Sequence, residues 1–258
     1  MWIFADKQCA VFVLDLSRSA AVPERILAGA SGMSLTVDRY AAYKALAKDG
    51  SVTLAFCWLH SRRDFIDLCK AHPQLAAWAG LIIRSINDLM KLNAKRLEAI
   101  AEGVPDKIAL LQERVENTAE GMFGYTADLL SDGRPMLGRQ KKALESFIRH
   151  KDGLMQFVWD PLLPMSNNHA EQLLRGVALA RNNYLGARAE WSGHLAACSM
   201  TIIKTAELNG LNPFAYIKLC LDECSKNASS PLTAEQAEAL LPWRLSEEAI
   251  QASSLRSG

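Results

Sequence analysis

The chain has no CxxC cysteine pair, no long apolar run and no surplus of charge of either sign. Its cysteines, Cys9, Cys57, Cys69, Cys198, Cys220 and Cys224, are scattered, with no histidine at metal-ligand spacing. A four-ligand zinc site is therefore not indicated, and the thiols read as free cysteines of a reducing, cytoplasmic compartment. The longest apolar run is Leu75 to Ile83, too short to cross a bilayer. Lys plus Arg is 29 against 28 for Asp plus Glu, which excludes a polybasic coat but leaves room for a local basic groove. Dinucleotide, P-loop and hydrolase signatures (GxGxxG, GxxxxGK[ST], GxSxG) are all missing, so those chemistries have no support.

What is present starts abruptly. Met1 is followed at once by Trp2-Ile3-Phe4, with no basic leader, and Asp6 breaks the apolar stretch. That is not a signal peptide. A start inside an apolar strand leads us to expect truncation at the N-terminus.

Half of the 258 residues are apolar, enough for one large domain or two small ones. Residues 2–4 and 9–14 predict two strands joined as a hairpin across Ala5-Asp6-Lys7-Gln8. A helix from Pro23 to Ala28, a strand over 33–37 and a helix over 39–47 follow. Val52 to Trp58 is nearly all apolar, the mark of a strand buried on both faces. Strand, strand, helix, strand, helix, strand is an α/β order. From His60 the character changes. Residues 60–158 predict helices over 75–100, 108–130 and 140–158, punctuated by Gly and Pro. Further helices are expected over 170–179, 195–208 and 213–224, and near 234–241. The resulting division is 1–59, 60–164, 165–225 and a peripheral tail, 226–258.

Two carboxylates could carry chemistry. Asp38 directly follows a predicted strand, and ligands of open α/β sheets bind at that end. It is either a Mg²⁺ ligand or the cap of the next helix. Glu171, in the first turn of a helix, stands three residues after Asn168, which is capping-box spacing; metal ligation is the alternative. His60 closes the apolar run and is either a hydrogen-bonded structural residue or a functional one. Arg62 and Arg63 follow it. Arg175, Arg181 and Arg188 form a second basic series among Asn182, Asn183 and Tyr184, suited to phosphate contact or to any exposed helix end. The basic residues Arg139, Lys141, Lys142, Arg149 and Lys151 are either a solvated helix face or a phosphate-facing ridge.

Seven segments occur in order: VFVLDLSRSAAVPERIL, VDRYAAYKAL, LAFCWLHSRRDF, MSNNHAEQLLRGVALARNNYLG, WSGHLAA, TAELNGLNPFAYI and LLPW. Together they resemble the central and C-terminal catalytic portion of the IS66 family of insertion-sequence transposases. The resemblance implies an RNase H-like core, here lacking its first strand, with a large all-helical insertion and a helical C-terminal part. It also implies a DDE triad with two Mg²⁺ ions, in which Asp38 of the DRY-type motif is the second acid and Glu171 of the DNNxAER-type motif the third. His60, Arg62, Arg63, Arg175 and Arg181 become the DNA-facing candidates.

The sequence departs from the family pattern in three ways. No residue matches the first triad Asp; Asp6 and Asp15 have the wrong context. The DNNxAER motif reads Ser166-Asn167-Asn168-His169-Ala170-Glu171-Gln172, so its leading Asp and closing Arg are replaced. The family's N-terminal DNA-recognition region has no counterpart. The expectation is a truncated DDE transposase catalytic domain, inactive alone, whose partners are DNA and further transposase subunits, with no membrane involvement. The alternatives are a non-catalytic DNA-binding remnant and a helical protein-interaction module.

Overall fold

The computed structural model describes residues 1–48, 50–183, 189–227, 230–246 and 248, with the backbone alone for 180–183. The chain is mostly helical, with two small sheets, and divides into two compact units: residues 1–17 with 168–258, and residues 18–167. No helix among the described residues is long and apolar enough to cross a membrane.

In the first unit, β1 (Trp2–Ala5) and β2 (Ala10–Val13) form an antiparallel hairpin with Ile3 opposite Phe12. The Asp6 carboxylate fixes the turn by accepting the N–H groups of Gln8 and Cys9, both at 2.7 Å. Three substantial helices follow in the chain: α8 (Asn168–Asn183), α9 (Glu190–Leu208) and α10 (Pro213–Lys226). Ala10, Phe12, Val177 and Ala197 make a small buried core from the hairpin, α8 and α9. Gly210, at φ 71°, ends α9 as Asn209-Gly210 predicts. Asn212 then caps α10 by accepting the N–H groups of Phe214 and Ala215, with Pro213 at the first helical position. The short α11 (Ala234–Ala239) is tied to α10 by Tyr216, whose hydroxyl donates to the Leu240 carbonyl at 2.9 Å.

The second unit holds α1 (Ala21–Ile26), β3 (Met33–Val37), α2 (Ala41–Leu46) and β4 (Val52–Phe56). β3 and β4 are parallel, with Val37 opposite Phe56. Then come α3 (Trp58–Ala71), α4 (Ala76–Glu102), α5 (Pro105–Ser131), α6 (Gly138–Arg149) and α7 (Lys151–Trp159).

Two expectations from the sequence are corrected here. The apolar run does not stay a strand to Trp58. Cys57 still donates to the Val37 carbonyl, but the Trp58 N–H turns to Met165 and a helix begins. That helix shows its own 3.6-residue period in the buried Trp58, Ser61, Phe65 and Leu68, a pattern hidden behind the preceding apolar stretch. The stretch 140–158 is two helices, not one. It breaks at His150, where Nδ1 lies 2.7 Å from the Ser146 carbonyl that the helix would otherwise spend on backbone alone.

Trp58 sits at the centre of this unit's core, fully buried, with its indole N–H on the Leu154 carbonyl at 2.8 Å. Phe123, Phe147 and Phe157 surround it at centroid separations of 5.8–6.0 Å, the range in which tilted aromatic pairs attract. Gly153 lets α7 lie directly on β4: a Cβ there would stand 2.3 Å from the Phe56 ring and 3.1 Å from the Leu54 carbonyl.

Candidate functional site

Asp38 is the first residue beyond β3, and Cys57 the first beyond β4. Because Val37 faces Phe56 in a parallel pair, the two residues leave the sheet side by side at its carboxyl edge. Asp38 is half-buried, and its Oδ1 accepts the Tyr40 N–H at 3.0 Å. Tyr40 is the N-cap of α2, which has no side-chain cap hydrogen bond, so Asp38 orders the chain entering that helix without capping it. That bond occupies one carboxylate oxygen. Tyr43, one turn into α2, has its phenol pushed up to about 12 by burial first and by the Asp38 and Tyr40 groups next.

The residue after Asp38 is clamped. Arg39 donates to Asp64 of α3 at 2.7 Å and to Ser146 of α6 at 3.1 Å. The helices 60–158 thus grip the loop that carries Asp38. Lys44 of α2 reaches His150 Nε2 at 3.0 Å. His150 is buried against the Phe56 ring. Burial lowers its proton affinity; Nδ1 meets the Ser146 carbonyl, which opposes the shift, while Lys44, Arg39 and Arg149 add to it.

His60, in the first turn of α3, hydrogen-bonds the Cys57 sulfur. Burial alone would push that thiol up. The His60 ring, with the backbone at Asn167 and His60, instead holds it below its ordinary value. The sequence points to His60 but not to its partner Cys57, which reads there as a plain thiol. The signal available is their i, i+3 spacing across a strand-to-helix junction.

The other candidates are more dispersed. Arg62 is half-buried, with its Nε enclosed and without a hydrogen-bond partner among the described residues; Arg63 is exposed. Glu171 lies in the first turn of α8 and Arg175 is exposed one turn on. Asp38, His60, Arg62 and Arg63 therefore belong to one unit, and Glu171 and Arg175 to the other. The side chain of Arg181, and Tyr184 and Arg188 altogether, lie outside the described residues. No group of three or more His, Cys, Asp or Glu side chains that could hold a metal ion occurs among the described residues.

Two family models match. Residues 1–195 match the transposase IS66 family and residues 201–243 the IS66 C-terminal element. The curated relatives include three uncharacterized proteins of Sinorhizobium fredii (strain NBRC 101917 / NGR234). The chain is 29% identical to y4jD over 238 residues, 90% of this chain and 45% of the relative. It is 29% identical to y4qI over 242 residues, 90% and 42% respectively, and 27% identical to y4hP over 251 residues, 91% and 43%. The chain thus spans less than half the length of these relatives. No solved structure matches it.

Proposed function

The chain belongs to the IS66 family of transposases, and on that premise we propose that it forms the later part of a DDE-type catalytic domain. The ancestral chemistry would be hydrolysis at transposon ends, followed by attack of a 3′-hydroxyl on target DNA. One observation carries this reading. Asp38 sits at the carboxyl edge of a parallel strand pair, with one oxygen fixed by the Tyr40 N–H and the other without a hydrogen bond among the described residues.

We read the strand-strand-helix-strand-helix-strand order up to β4, carried by two separate two-stranded sheets, as part of an RNase H-like core. Asp38 and Glu171 are the acids we assign to the site. His60, Arg62, Arg63, Arg175 and Arg181 are the side chains we assign to DNA. Further copies of the chain are the second class of partner; a strict monomer in light scattering would remove that part.

The metal fits only in part. Carboxylate oxygens are the donors Mg²⁺ prefers, and Asp38 and Glu171 supply that chemistry. Two-ion phosphoryl transfer needs more ligands than these two, and the described residues gather no trio. We infer that this chain by itself holds Mg²⁺ weakly and joins little or no DNA.

Titrating Mg²⁺ into the purified chain by calorimetry, beside Asp38→Asn and Glu171→Gln, tests the assignment. Weak binding that either substitution diminishes supports it. Binding that neither alters would remove both residues from the site. Metal-dependent DNA joining by the unaided chain would overturn the inactivity.

A further inference from the structure

Helix α6 presents a row of cations. Arg139, Lys142 and Arg149 are exposed, and none has an ion pair or hydrogen bond among the described residues. They stand at i, i+3 and i+10, one face of a helix, and span about 15 Å of its axis at ~1.5 Å per residue. The first turn of α6 contains no acidic residue, so its uncompensated N–H groups add positive field at the same end.

The row is continued from other elements. Arg139, Lys142 and Ser146 line an open groove of about 320 Å³ between α3 and α6, with Asp64 and Asp67 on its far wall. Ser146 bonds Arg39, the neighbour of Asp38. Past it, Arg149, Arg39 and Lys44 all act on the His150 ring. Five cations therefore run from the start of α6 to α2. Against them stand Asp64, paired with Arg39, and Asp67, beside Lys70. Glu145, the one acid of α6, pairs with Lys141.

We propose that this face, Arg139–Lys142–Arg149 continued by Arg39 and Lys44, is a track for the phosphate backbone of DNA that leads to the Asp38 edge. Lys141 of the same helix is paired with Glu145, whereas Arg139, Lys142 and Arg149 have no ion pair among the described residues and share one face. Fifteen ångströms matches about four nucleotides of rise at ~3.4 Å each. The proposal rests on the transposase reading for its choice of polyanion, and adds where on the chain the strand lies.

The test is fluorescence anisotropy of a labelled mixed-sequence duplex with the full chain, across a salt series of ~50–200 mM. The triple exchange R139A/K142A/R149A should flatten the slope of log affinity against log salt by ~2.7, or ~0.9 for each phosphate no longer neutralised. A control of equal charge, K91A/K95A/R114A on α4 and α5, should leave the slope unchanged. Should the triple variant melt early, Lys142→Glu alone, at an exposed site with no partner to lose, still must weaken binding. DNA binding whose slope the α6 exchange does not change overturns the track and leaves the transposase reading standing. A control that flattens the slope as much also overturns it. No DNA binding by the wild-type chain overturns both, whereas the Asp38 metal titration judges the carboxylate site separately.

Discussion

The hydroxyl of Thr205 lies 3.2 Å from both the N–H and the C=O of Ala10. It accepts from one and donates to the other, as a neighbouring strand would. One turn earlier, Thr201 accepts the Phe12 N–H at 2.9 Å; one turn later, Asn209 donates to the Gln8 carbonyl at 2.7 Å. Thr201 and Thr205 of α9 thus serve Phe12 and Ala10 of β2, and the helix's C-cap Asn209 serves Gln8 just ahead of that strand. A helix closes a sheet edge that would otherwise invite pairing. Thr205→Val keeps the shape and strands two buried backbone groups, at a cost of about 1–3 kcal/mol. Thr205→Ser keeps the hydroxyl and should cost less. Urea unfolding compares them, and a valine variant as stable as the wild type would refute the role.

Arg96 is a buried cation neutralised by dipoles. Its guanidinium, fully enclosed, donates to the carbonyls of Phe157 and Val158 in the last turn of α7, and to Asn93 and Gln112. Burial pulls its proton affinity down. The C-terminal helix dipole and the carbonyls hold the charge in place. Arg96→Ala takes the donor from the Phe157 carbonyl and the Asn93 and Gln112 side-chain oxygens, while Val158 keeps Gln112, and each buried acceptor left unmet should cost about 1–3 kcal/mol. Arg96→Lys cannot reproduce the planar fork and should also lower the thermal midpoint. A lysine variant that melts with the wild type would show that charge alone suffices.

Gly153 is required by distance rather than by backbone angle. Alanine there drives a methyl into Phe56 and the Leu54 carbonyl, and overpacking of this kind costs about 1–3 kcal/mol. Adding Phe56→Leu should recover part of the loss. Independent, additive effects in calorimetric melts would contradict the contact.

His150 makes the larger unit acid-sensitive. Its folded-state pKa lies below the ordinary value of about 6.5. The unfolded chain therefore takes the proton first. The stabilisation is complete above pH ~6.5 and is lost as pH falls below it, by at most ~1.4 kcal/mol per pH unit, until the folded form is protonated too. Protonation also breaks the bond from Lys44 and sets a further positive charge beside Lys44, Arg39 and Arg149. His150→Gln should remove this part of the pH dependence. Melts of the two proteins between about pH 5 and 7.5 decide it; parallel curves would discard the residue as the source.

The amino-acid order alone determined the early elements and the place of Asp38. The alternation, the apolar runs and the turn residues that specify β1 to β4 are local, and a carboxylate after a strand is visible as a pattern. It also determined that Glu171 opens a helix. Tertiary structure decided the rest. No local signal pairs Thr201 and Thr205 with a strand far earlier in the chain, or Arg39 with Asp64 and Ser146. The helix from Trp58 was hidden because a buried strand and a buried helix face share the same residues until a backbone N–H chooses its acceptor. The spacing of Arg139, Lys142 and Arg149 already sets them on one face of a helix, but only packing brings Arg39 and Lys44 beside that row.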